Sequence, residues 1–291
     1  MCHDVSKYSQ ISTNPKNRVQ HLGEVCEQLN EMGQVPIAIP HNSYEYMYVN
    51  DDYKFIFCWM PKLACTNWKR IFMSLSDKFP NKDYVMNAMT HNSVHINWQK
   101  YGKTLGSFLE SEIQHRLQTY KKIIFVRDPF ERMLSAYNDK VTLNNSEGLT
   151  KIARRIIASK RTDGTPKWVT AKFLEYVKYV TDPDTFENYN DHWGKYVHLC
   201  RPCLVQYDFI GTFEEGDKDI ERALKYMEID GIVQFPKRNI SYTHTKTRHV
   251  VDSFYKQIPD FYLSKLWQLL KIDYLLFSYP LPTILEHVLN I

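Results

Sequence analysis

The sequence predicts an α/β fold with a P-loop-like arrangement, in which a central, mainly parallel β-sheet is flanked by helices. Two short, almost wholly apolar runs, residues 54–60 and 121–126, have the composition of strands that are buried on both faces. Each run is followed by a loop and then by apolar residues at i, i+3, i+4 and i+7, the pattern of an amphipathic helix. This unit of strand, loop and helix occurs twice, and such units build parallel sheets.

The remaining elements follow from the same patterns. About 60 residues separate the two strands, which is enough for a crossover with at least one further helix. One such helix is predicted to begin at Ser107, where Ser-x-x-Glu resembles a capping box. A third strand is predicted over residues 204–212. Apolar spacing predicts five further helices, around residues 19–32, 149–156, 173–180, 220–227 and 263–270.

Length and composition limit the class of protein. The chain has 291 residues, 43% of them hydrophobic, and 37 Lys+Arg against 33 Asp+Glu give a net charge of +4. These values exclude a disordered chain and a strongly basic nucleic-acid-binding arm. We find no repeat or linker in the sequence. We therefore predict a single domain over residues 51–291, preceded by a stem or packing arm over residues 1–50.

No apolar run approaches the roughly 18 residues needed to span a bilayer, and the N-terminus lacks the apolar region of a secretory signal. The sequence thus predicts no transmembrane segment in this chain, so a protein of the secretory pathway would have its anchor outside it. Sequons at Asn144 and Asn239 favour a luminal location weakly.

Six cysteines are too few to predict a disulfide scaffold in a chain of this length. Cys200 and Cys203 form a single C-x-x-C, for which three interpretations stay open: a redox pair, a local disulfide or two buried thiols. One such pair is weak evidence for zinc, and no metal site is predicted.

The loop after the first strand has the features of an anion-binding site. It lies before a helix N-terminus, where free N–H groups and the helix dipole attract negative charge. Lys62 adds a positive charge, and Thr66 and Asn67 add side-chain donors, without the glycines of a nucleotide-binding P-loop. The alternative is that Thr66 or Asn67 only caps the helix. The residues are Pro61, Lys62, Leu63, Ala64, Cys65, Thr66 and Asn67.

The second loop combines a strand end with a helix start. Arg127 ends the strand, and Ser135 lies two helical turns further on, so both side chains are suited to one phosphate. Asp128 and Glu131 are interpreted as capping residues, with proline at the first helical position. Arg132 is expected to pair with an acidic neighbour.

The segments FCWMPKLACTNWKR and FVRDPFERMLSAYNDK, in this order, resemble the two nucleotide-binding motifs of the Golgi carbohydrate sulfotransferases. The group with chondroitin 4-O-, dermatan 4-O- and HNK-1 sulfotransferases is the most similar in these motifs. The resemblance continues through DHW, LCRPC, YDFIG and KIDY and covers roughly residues 45–285. The two long motifs together are highly specific.

The resemblance implies a sulfotransferase that uses 3′-phosphoadenosine 5′-phosphosulfate and no metal. By position, residues 61–67 hold the 5′-phosphosulfate, and Lys62 stabilises charge on the leaving oxygen. Arg127 and Ser135 hold the 3′-phosphate. Arg248 matches a recurrent basic position and is expected to close over the donor.

The acceptor hydroxyl needs a general base near neutrality, for which histidine is the natural residue. His95 precedes the predicted crossover helix, in a region where related sulfotransferases carry a functional histidine. His192 belongs to the DHW segment that matches the family. We weigh these two equally as catalytic residues, with His91 behind them.

The expected acceptor is an anionic glycan. Between Lys151 and Lys172 seven basic residues stand against one acidic residue, which predicts a surface for a polyanion. A glycosaminoglycan fits the resemblance, whereas nucleic acid lacks a matching fold signature. We expect the acceptor atom to be O4 of N-acetylgalactosamine in chondroitin or dermatan, and we expect the protein to act in the Golgi. The alternatives are a glucuronyl 3-O acceptor of HNK-1 type and an inactive nucleotide- and glycan-binding relative; a P-loop kinase is disfavoured.

Overall fold

The computed structural model describes residues 14–34, 39–142, 150–167, 169–186, 190–236 and 245–290. Its four-stranded mixed sheet and many helices confirm the α/β class. Contacts divide the chain into two compact units. Of the described residues, the sheet unit contains those from 14 to 127 and from 195 to 236, and the helical unit contains those from 128 to 194 and from 245 onward.

The sheet has the order β1-β2-β3-β4, with β1 over Met47–Asn50, β2 over Phe55–Cys58, β3 over Lys121–Val126 and β4 over Phe209–Thr212. β2 pairs with β3 and β3 with β4 in parallel, whereas β1 runs antiparallel to β2. Two of the three pairings are therefore parallel, as the sequence predicts. Every residue of β2 is buried, which explains its unbroken apolar run.

The helices of the described residues differ widely in length, from single turns to 17 residues. None of them is both long and apolar enough to cross a membrane. They are α1 Pro15–Glu31, α2 Cys65–Ser74, α3 His91–Tyr101, α4 Glu110–Thr119, α5 Pro129–Lys140, α6 Lys151–Lys160, α7 Phe173–Val180, α8 Pro183–Phe186, α9 Tyr196–Leu199, α10 Pro202–Val205, α11 Asp217–Tyr226, α12 Thr245–Tyr255, α13 Asp260–Leu276 and α14 Glu286–Leu289.

The structure corrects the predicted boundaries at several places. The third strand, β4, is shorter than predicted, because residues 202–205 form the helical turn α10. No helix starts at Ser107, which lies in a 3-10 turn; α4 begins at Glu110, where the Glu112 carboxylate accepts a hydrogen bond from the Leu109 N–H at 3.0 Å. Strand β1 and helix α3 were not predicted, since neither has a clear apolar period.

An aromatic core fills one face of the sheet. Phe57 of β2 and Phe125 of β3 contact the indole of Trp68 on α2, with ring centroids 4.7 and 5.0 Å apart. Phe72 of α2 stacks on Tyr48 of β1 at 4.5 Å. Burial of large aromatic side chains contributes most of the apolar area of such a core. Helix α2, which follows the loop at residues 61–67, is thereby held firmly against the sheet.

The N-terminal helix belongs to the sheet unit. Arg18 of α1 is buried, donates to the backbone oxygen of Ile210 in β4 at 2.9 Å and forms an ion pair with Asp219 of α11. Asp219 also accepts from the Thr212 N–H at 2.9 Å. A buried ion pair of this kind needs such further hydrogen bonds to offset its desolvation. Residues 15–31 therefore pack as part of the unit that carries the sheet.

Two disulfides join distant parts of the sheet unit, and all three interpretations of the C-x-x-C are wrong. Cys200 pairs with Cys58 of β2 and Cys203 pairs with Cys26 of α1. The partners lie 142 and 177 residues away in sequence, so their pairing depends on the fold and not on local spacing. Cys65 is the free cysteine among the described residues.

Buried tyrosines connect the helices of the helical unit. Tyr255 of α12 stacks on Phe130 of α5 at 4.5 Å and donates to its backbone oxygen at 2.9 Å. Tyr274 of α13 donates to the carboxylate of Asp128 at 3.0 Å. Burial, reinforced by Asp128, raises the pKa of Tyr274 well above its usual value, so this hydroxyl stays a donor.

Gly211 of β4 is predicted to be intolerant of a side chain. A Cβ at this position would lie 2.4 Å from Cε1 of Phe125, which is itself fixed in the core. We expect Gly211→Ala to lower the free energy of unfolding by about 1–3 kcal/mol, measured by chemical denaturation. Gly23→Ala in α1 is the control, since nothing lies within 4 Å of its Cβ. Equal stabilities of both variants would contradict this packing.

The disulfide pairing is open to direct mapping. We expect mass spectrometry of the unreduced protein to find Cys58 and Cys26 attached to the peptide that contains Cys200 and Cys203. Compared with the unmodified protein, in which Cys65 is already free, Cys203→Ala should add Cys26 to the alkylated cysteines, and Cys200→Ala should add Cys58. Each loss should cost about 2–5 kcal/mol of stability. A bridge between Cys200 and Cys203 would refute the arrangement.

Candidate active site

The loop at residues 61–67 leaves the end of β2 and enters α2. Lys62 and Ala64 have positive φ angles, 72° and 56°. Ala64 is the N-cap of α2 and makes no side-chain cap hydrogen bond, while Thr66 and Asn67 lie inside the helix. The capping alternative is therefore wrong. The backbone conformation resembles the turns in which successive N–H groups face an anion.

Burial within the loop separates packing residues from polar ones. Pro61 and Leu63 are buried and anchor the loop, whereas Lys62, Thr66 and Asn67 are half-buried. A helix N-terminus without a side-chain cap, with a lysine and two polar side chains beside it, is chemically suited to a phosphate or sulfate group. These residues therefore fit an anionic nucleotide donor.

His95 lies against this loop. It belongs to α3, a helix that the sequence did not predict and that precedes the crossover helix α4. Its Nε2 is 3.2 Å from Oγ1 of Thr66, and its Nδ1 is 3.4 Å from Nζ of Lys69. The ring of His91, one turn earlier on α3, has its centroid 4.6 Å from that of His95 and is exposed.

Lys69 is a site residue that the sequence did not reveal. It is only 4% exposed, and its Nζ lies 4.2 Å from the ring centroid of Trp59 and 5.5 Å from that of Trp98. Its position three residues after Thr66 places both side chains on the same side of the amphipathic helix α2. This spacing is the sequence signal from which Lys69 could have been predicted.

Arg127 directly follows β3 in the same unit. It is 3% exposed, and its guanidinium lies 4.5 Å from the ring of Phe213. Its backbone N–H donates to the hydroxyl of Tyr196 at 2.9 Å, and that hydroxyl donates to the Arg127 carbonyl at 3.2 Å. Because β2 and β3 are parallel, their carboxyl ends lie at one edge of the sheet, which brings the loop at residues 61–67 and Arg127 to the same edge.

The other predicted residues lie in the helical unit. Ser135 is half-buried on α5. Asp128 caps α5 by accepting from the Glu131 N–H at 2.9 Å, which confirms its capping role. Arg132 donates to the backbone oxygens of His192, at 3.4 Å, and Gly194.

His192 is held by its own sequence neighbours. Its Nδ1 lies 2.6 Å from Oδ1 of Asn190 and 2.9 Å from Oδ1 of Asp191. Arg248 belongs to α12, but its side chain falls outside what the structure describes, as do the sequons at Asn144 and Asn239.

The basic segment at residues 151–172 is partly neutralised. Arg161 forms a two-point ion pair with Glu175 at 2.7 and 2.8 Å, Lys172 pairs with Asp163 at 2.7 Å, and Lys160 pairs with Asp182. The remaining cations are exposed: Lys151, Arg154, Arg155 and Lys167. The polyanion surface is thus smaller than the sequence predicts. Among the described residues no group of three or more metal-ligand side chains is assembled.

Comparison with known proteins identifies the family. The family model described as "Sulfotransferase family" matches residues 45–280. Carbohydrate sulfotransferase 11 of Rattus norvegicus is 32% identical over 280 residues, which cover 92% of this chain and 77% of the relative. Carbohydrate sulfotransferase 12 of Xenopus laevis is 31% identical (84% and 62%), and carbohydrate sulfotransferase 14 of Danio rerio is 32% identical (94% and 73%). No solved structure matches the chain.

The family match spans the loop at residues 61–67, Arg127 and the C-x-x-C in one continuous range. It confirms the resemblance that the two long motifs indicate. The chain belongs to the sulfotransferase family and is an enzyme of that family.

Proposed function

We propose that this enzyme transfers the sulfuryl group of 3′-phosphoadenosine 5′-phosphosulfate to a hydroxyl group of a carbohydrate. The observation that carries the proposal is the uncapped N-terminus of α2, with Lys62 and Thr66 beside it, at the sheet edge that also bears Arg127. Relatives named carbohydrate sulfotransferases support a sugar acceptor.

Each donor residue has a distinct proposed role. The backbone N–H groups of residues 63–66 and the ammonium of Lys62 bind the 5′-phosphosulfate and stabilise charge on the phosphate oxygen as its bond to sulfur breaks. The guanidinium of Arg127, whose shape matches a phosphate, binds the 3′-phosphate. From the sequence motifs we also propose donor contacts for Ser135, on α5, and Arg248, on α12.

The proposed general base is one of the histidines of α3. Both ring nitrogens of His95 lie within hydrogen-bonding distance of other side chains, whereas the neighbouring His91 is exposed beside it. We therefore propose that His91 takes the proton of the acceptor hydroxyl as the new oxygen–sulfur bond forms. His192 stays the alternative base.

The proposed acceptor is O4 of N-acetylgalactosamine in chondroitin or dermatan, with a glucuronyl 3-O position as the alternative. Exposed Lys151, Arg154 and Arg155 on α6 suit an anionic glycosaminoglycan. Two disulfides indicate an oxidising compartment, which supports the Golgi lumen or membrane as the location.

Donor recognition is testable by two substitutions. Lys62→Ala should lower sulfate transfer to desulfated glycans about 10²–10³-fold, because charge on the leaving oxygen loses its stabilisation. Arg127→Lys should weaken binding of 3′-phosphoadenosine 5′-phosphate more than binding of adenosine 5′-phosphate, which lacks the 3′-phosphate. Calorimetry measures both affinities.

Lys82 is exposed, and Lys82→Ala serves as the control, which should retain the full sulfate-transfer activity. Nucleotide binding without transfer to any glycan by the unmodified protein would favour an inactive binder. Transfer to chondroitin, dermatan or a glucuronyl-terminated glycan identifies the acceptor within the same assay.

Substitution of the three histidines distinguishes a catalytic base from a residue that only supports nucleotide binding. His91→Gln should lower kcat about 10²–10⁴-fold and leave the affinity for 3′-phosphoadenosine 5′-phosphate unchanged. His95→Gln should instead weaken this affinity, because His95 contacts the donor loop. Loss of transfer in His192→Gln, with transfer retained in His91→Gln, would place the base in the helical unit.

A further inference from the structure

Lys69 is an unusual residue for the interior of a sheet-packed helix. Its side chain is 4% exposed, and removal of an ammonium from water is costly unless other groups compensate. The faces of Trp59 and Trp98, 4.2 and 5.5 Å away, supply part of this compensation by cation–π attraction. Its Nζ also lies 3.4 Å from Nδ1 of His95.

The ammonium dictates the protonation of His95. An ammonium has three donors and no acceptor, so Nδ1 must offer its lone pair to Lys69. The proton of the neutral ring then resides on Nε2. Nε2 is the nitrogen that lies 3.2 Å from Oγ1 of Thr66.

This protonation also orients Thr66. Its Oγ1 accepts the Nε2–H of His95, so the hydroxyl hydrogen is directed away from His95. Thr66 lies in the first turn of α2, where the first N–H groups of an α-helix have no partner within the helix. The hydroxyl therefore adds a donor to those N–H groups.

We propose that Lys69 and His95 are positioning residues, which form a hydrogen-bond chain from Lys69 through His95 to Thr66 and hold the Thr66 hydroxyl as a donor to the anionic group of the nucleotide. This inference rests on the proposed function, since it assigns a nucleotide to the loop. The direction of the chain is set at Lys69, because only this member cannot accept. Each donor strengthens the next in a low-dielectric site.

The first test needs no nucleotide. Long-range ¹H–¹⁵N NMR of protein labelled at histidine, assigned with His95→Gln, should show His95 as the neutral ring with its proton on Nε2. Lys69→Met, which keeps the stem between the two indoles, should give a mixture of both ring forms. Lys69→Arg, which also only donates, should restore the single form. A proton on Nδ1, or no change in Lys69→Met, would overturn the proposal.

The second test measures coupling. Lys69→Met and Thr66→Val should each weaken binding of 3′-phosphoadenosine 5′-phosphate roughly tenfold, and the double variant no more than either one, since both break the same chain. Thr66→Ser should bind normally. Lys78→Met is the matched control: Lys78 also lies over an aromatic ring, Tyr101 at 5.3 Å, but it is exposed. Additive losses would overturn the proposal.

The two tests separate the possible failures. Absence of nucleotide binding in the unmodified protein would refute the proposed function, while the ring form of His95 would still report on the chain. Nucleotide binding that depends on Lys62, together with a proton on Nδ1 of His95, would refute the chain alone.

Discussion

The parallel pairing of β2 with β3 is the constraint on which the site in the sheet unit depends. Parallel strands end at the same edge, so the loop after Cys58 and the loop after Val126 emerge side by side although 60 and more residues separate them in sequence. The anion-binding features of the first loop and the buried cation of the second thus share an edge. The helical crossover between the strands, which includes α3, brings His95 to the same place.

A second connection ties both loops to one short segment. Cys200 is bridged to Cys58 at the end of β2, and Tyr196, one turn earlier, exchanges two hydrogen bonds with the backbone of Arg127 at the end of β3. The segment at residues 196–200 is therefore attached to both strand ends. The second bridge, from Cys203 to Cys26, fixes α1 to α10, which follows this segment directly. These links restrain the loop ends, and restrained donors cost less reorganisation when charge develops.

Buried cations recur at this edge of the sheet unit. Lys69 lies between two indoles and Arg127 lies over the ring of Phe213, so aromatic faces accompany each charge. An enzyme that binds a highly anionic nucleotide gains from positive charge that is already desolvated and oriented. The exposed cations of α6, by contrast, are suited to a flexible polyanion, where screening by salt keeps each contact weak.

The sequence by itself determined the α/β class, β2, β3 and the helices α2, α5 and α7, because buried strands and amphipathic helices leave a local period in the chain. It also determined the family, since the motifs at residues 57–70 and 125–140 are continuous. It missed β1 and α3, whose apolar residues follow no clear period. The bridges of Cys200 and Cys203, the contact of His95 with Thr66 and the burial of Lys69 were decided only by the tertiary structure. These features join residues far apart in the chain, and no local pattern records which partner the fold will bring.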